Sequence, residues 1–61
     1  MKTKERKNIA KKIAAAEMAL KESSSTEEKA RLEAEITKLC SKVDNFEDLM
    51  VIEEMVQDLL K

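Results

Sequence analysis

The chain predicts an all-α fold, and three observations carry that expectation. Gly and Pro are absent while Ala, Leu, Glu, Lys and Met are abundant, which is a helix-forming composition. Apolar residues recur at spacings of three and four, with neither the strict alternation of a strand nor the turn chemistry of a hairpin. Two short polar stretches carry helix-capping residues and divide the chain into segments of similar length. The architecture expected is three amphipathic helices, about residues 3–22, 26–42 and 45–60, in a small antiparallel bundle. It forms one domain over residues 1–61 with a basic N-terminal segment at 1–12.

In the first helix Ile9, Ile13, Ala16 and Leu20 follow a four, three, four spacing and make one narrow seam. Ala10, Ala14 and Ala19 flank it and allow another helix to come close, while Lys4, Lys7 and Lys11 share a stripe on the opposite side. Residues 1–12 hold six basic side chains against Glu5, a formal +5, and residues 13–61 balance at −6, so the net charge of −1 conceals two segments of opposite sign. Cations in a first turn oppose the helix dipole, so either the first residues are not helical or their charge has a use.

Ser23 to Glu28 is the first break, with Ser24 and Glu27 or Ser25 and Glu28 completing a capping box. The seam supports a break, because its continuation would fall on Ser23, Glu27, Ala30 and Ala34, whereas the apolar residues are Leu32, Ile36, Leu39 and Val43. A continuous helix through residue 42 is the competing reading, since no glycine enforces a stop. The second helix offers Glu27–Arg31 and Glu35–Lys38 as surface ion pairs, as Glu17–Lys21 does on the first. After it, Asp44 with Glu47 or Asn45 with Asp48 can cap the third helix.

That third helix carries the widest apolar face: Leu49, Ile52, Met55, Val56, Leu59 and Leu60 fill a continuous arc, with Phe46 at its edge and Met50 and Val51 outside it. Glu53 and Asp48 flank the arc and are expected at a solvated rim, the alternative being a partner among the basic residues of the first helix. One neighbouring helix cannot cover so much. Small single cores rarely supply more than about 3–5 kcal/mol without a disulfide, a metal or oligomerisation. A single cysteine and no histidine leave oligomerisation as the expected support, through the six residues of the arc, with helix swapping between chains as a variant.

Composition argues against catalysis, because histidine, tyrosine, a Gly-rich loop and a nucleophile elbow are all missing, and Cys40 reads as a small apolar residue and not an activated thiol. No metal loop or cofactor is expected. The first helix lacks the bulky anchors of a membrane-surface helix, no stretch is long enough to span a bilayer, and the basic start leads into no signal-peptide core, so a cytoplasmic protein is expected. The leading functional expectation is a non-enzymatic protein that self-associates through residues 46–60 and binds another protein as an adaptor, regulator or inhibitor. The alternative is an oligomer that binds nucleic acid or a small phosphorylated ligand through Lys4, Lys7 and Lys11; missing stacking aromatics weigh against the polynucleotide form.

Overall fold

A computed structural model describes residues 2–61, which form three helices: α1 (Thr3–Glu22), α2 (Thr26–Ser41) and α3 (Phe46–Leu60). The break at Ser23–Ser25 is real, so the continuous first helix is excluded. Ser25 is the N-cap of α2, its Oγ accepting from the Glu28 amide at 3.4 Å. Only half of the capping box closes this way, because the Ser25 amide donates back to Ser23 Oγ at 3.3 Å. Asn45 caps α3 by accepting from the Glu47 amide at 2.8 Å and lies outside the helix, which therefore starts at residue 46 and not 45. The second helix also stops one residue early, at Ser41, with Lys42 as its C-cap.

Helix α1 is the shared packing partner. It contacts α3 most and α2 next, while α2 and α3 barely touch. Seven side chains are buried among the described residues: Ala10, Ile13, Ala14 and Ala16 of α1, Leu39 of α2, and Ile52 and Val56 of α3. Covering α1 from two directions corrects the narrow seam expected for it, since the buried and half-buried apolar positions Ile9, Ala10, Ile13, Ala14, Ala16, Ala19 and Leu20 span an arc of about 220° at 100° per residue. Alanine on that arc lets a neighbouring backbone approach without a void. Side-by-side packing makes the molecule flat, with principal extents of 35 × 24 × 15 Å, the longest fitting a 20-residue helix at 1.5 Å per residue.

Two chain reversals leave α1 and α3 parallel. An ion pair joins their N-terminal turns: Arg6 Nε donates to Asp48 Oδ1 at 3.0 Å, with the carboxylate side chain only 13% exposed. The solvated rim expected for Asp48 is thus corrected, because the parallel arrangement brings a guanidinium of α1 to its side, whereas Glu53 does remain exposed. Two positive dipole ends and the basic segment meet at this end of the molecule, and Glu5, Glu47 and Asp48 in the first turns offset them. The expected pairs Glu17–Lys21, Glu27–Arg31 and Glu35–Lys38 do not close to ion-pair distance among the described residues.

Two stability measurements follow from this geometry. Asn45→Ala should cost about 1 kcal/mol in urea unfolding, and Ser25→Ala less, because its cap bond is longer. A double-mutant cycle of Arg6→Gln and Asp48→Asn should give a coupling of about 0.5–1 kcal/mol that shrinks in high salt, since both side chains keep some contact with water.

Candidate interaction surface

The six residues expected to form an interface are divided by the fold. Ile52 and Val56 are consumed by the chain's own core, Leu49, Met55 and Leu60 are half-buried, and Leu59 is 47% exposed. Met55 and Leu60 lean on the edge of the core. Phe46 and Met50, given as edge and outside positions by the helical wheel, are more open still, at 72% and 55%. Position on a wheel shows which residues share a face; how far a neighbouring helix covers that face depends on its crossing, which the wheel does not contain.

Because α2 and α3 diverge from a common floor, an open depression of about 1010 Å³ lies between them. Ile13 and Val56 are at its base, Ile36 and Cys40 bound it on α2, and it continues around α3 past Met50 and Val51. Its remaining lining is strongly acidic, with Glu17, Glu47, Glu53, Glu54 and Asp58 against Lys61 alone, a formal −4. Lys61 Nζ already lies 3.6 Å from Asp58 Oδ1. An apolar base within an acidic rim suits a partner that presents apolar side chains flanked by cations. Cys40 is half-buried at the side of this depression.

Lys4, Lys7 and Lys11 are all exposed on the side of α1 turned away from the core, with Met18 beyond them on the same face, 52% exposed. They stand as a stripe and converge on no depression. A second concave surface, of about 560 Å³, lies between α1 and α2 and gathers Lys12, Arg31, Lys38 and Lys42 with Glu35 around Ala34 and Leu39. None of these cations belongs to the expected stripe. Their convergence depends on the antiparallel pairing of α1 with α2, so the i,i+4 and i,i+7 spacing of Arg31, Lys38 and Lys42 along α2 was the one signal of it in the sequence. No helix among the described residues is long and apolar enough to cross a membrane. No protein-family model, curated protein or solved structure matches this chain.

Proposed function

We propose that the chain is a non-enzymatic interaction protein that self-associates through the accessible part of α3 and binds another protein. The observation that carries this reading is the small share of α3 that the fold covers: only Ile52 and Val56 are buried, while Phe46, Met50 and Leu59 remain open to water. Burying one such side chain contributes about 1.5–3 kcal/mol, so exposed large apolar groups on a core of seven residues, three of them alanine, are a strong drive toward association.

The two activities fit different sides of the helix. Met55 and Leu59 do not line the acidic depression and suit contact between copies, where a symmetric pair places like surfaces together without bringing the acidic rims face to face. The depression itself, with its formal −4, opposes self-pairing and favours a partner with flanking lysines or arginines. The alternative, binding of nucleic acid or a phosphorylated ligand by an oligomer through Lys4, Lys7 and Lys11, draws support from the exposure of that stripe.

Leu59→Asp tests the self-association. Ile52→Asp and Val56→Asp would not, because both would also wreck the core. By size-exclusion chromatography with light scattering, the wild type should be a dimer or larger, and Leu59→Asp should have a smaller mass with unchanged helicity. A monomeric wild type, or a variant of undiminished mass, overturns the reading.

A further inference from the structure

The cleft between α1 and α2 has no role in the protein-binding reading, and its chemistry is different. Lys12 comes from α1, Arg31 and Lys38 from α2 and Lys42 from the C-cap of α2, and the only acid in the lining is Glu35, giving a local formal +3 on a chain whose net charge is −1. All four cations are exposed, and none lies within ion-pair distance of a carboxylate among the described residues. The two i,i+3 and i,i+4 pairs that would have neutralised Arg31 and Lys38 are left open, as described above.

Ordinary helix electrostatics explains part of this set. Lys38 and Lys42 sit at the C-terminal end of α2, where positive charge is favoured by the dipole. Arg31 and Lys12 have no such reason to be there: Arg31 is in the N-terminal half of its helix, and Lys12 lies in the middle of α1 on the side that meets α2. Bringing them beside Lys38 and Lys42 concentrates like charge, which an anion would relieve.

We propose that this cleft binds a small phosphorylated ligand, with Arg31 forking onto phosphate oxygens and Lys12, Lys38 and Lys42 supplying point charges around it. Size decides in favour of a small ligand. The cationic row from residue 31 to 42 covers about 16 Å of helix, a volume of about 560 Å³ suits a nucleotide-sized molecule, and the exposed Ala34 gives its non-phosphate part a small apolar contact. A long polyanion would extend beyond the cleft, and the cleft has no aromatic side chain to stack on its bases.

The test is a ¹⁵N–¹H NMR titration of the full chain with sodium pyrophosphate and with ATP, in phosphate-free low-salt buffer, against sodium chloride at matched ionic strength. Saturable shifts should centre on Lys12, Arg31, Lys38 and Lys42. Arg31→Gln/Lys38→Gln/Lys42→Gln should weaken the affinity about tenfold or more, while Lys4→Gln/Lys7→Gln/Lys11→Gln should leave it within about twofold of wild type, both with native-like spectra. Glutamine keeps helix propensity; if the cleft variant still unfolds, Arg31→Gln alone gives the same reading with a smaller loss. The proposal is overturned if the shifts do not saturate, if sodium chloride reproduces them, or if they follow the Lys4, Lys7 and Lys11 variant. A single-stranded 20-mer that binds more tightly than ATP and loses that affinity with the same cleft substitutions would replace the small ligand by a polynucleotide.

Discussion

Everything in this fold depends on one helix being covered from two sides. Helix α1 is the only element that both others pack against, and it does so with alanine at Ala10, Ala14 and Ala16 and with Ile13 as its one buried bulky side chain. Small side chains allow close approach, yet they bring little apolar area of their own. Most of the bulk in the core is therefore contributed by Leu39, Ile52 and Val56 from the helices on either side. Had α2 and α3 closed on each other, a third contact would have hidden Ile36, Cys40 and the outer part of α3. Because they diverge, the surface that a compact bundle would have buried is left as a depression.

The same divergence sorts the charge. Lysine and arginine from α1 and α2 collect on the cleft between those helices, and glutamate and aspartate from α1 and α3 collect around the wider depression. Along the sequence the division falls between residues 1–12 and the remainder; in three dimensions it falls between two concave surfaces, of which the basic cleft draws on both parts through Lys12 and the acidic depression is lined from residues 13–61 alone. A net charge of −1 describes neither surface. Opposite local fields of this kind attract cations to one concave surface and anions to the other.

How much of this the sequence disclosed follows from the range of the interactions involved. Helix positions were legible because they rest on local signals: the seam phase jumps at the serines, and Ser25 and Asn45 have the right chemistry for caps. Which of two adjacent residues would cap was not legible, since Ser24 and Asp44 satisfy the same pattern and the choice turns on backbone dihedrals. Apolar arcs were legible too, but the division of the α3 arc into core and surface was not, because that requires the direction of α1. The partner of Asp48 lies 42 residues away, and only the parallel placement of α1 and α3 singles out Arg6. The α1–α2 cleft was missed for a related reason: the basic residues closest in sequence to one another are on α1, whereas those closest in space are shared with α2.

The pairing of α1 with α3 also governs the order in which structure can form. These two helices are the farthest apart in the chain, yet they share the most extensive packing, and the helical hairpin of α1 and α2 leaves α1 half uncovered until α3 arrives. Loop closure across α2 must therefore precede the larger share of the helix packing, and folding the first two helices early secures only the smaller share. Until α3 docks, Ile52 and Val56 are missing from the cluster that covers Ala10, Ile13 and Ala14, and the first two helices stand as an unconsolidated hairpin.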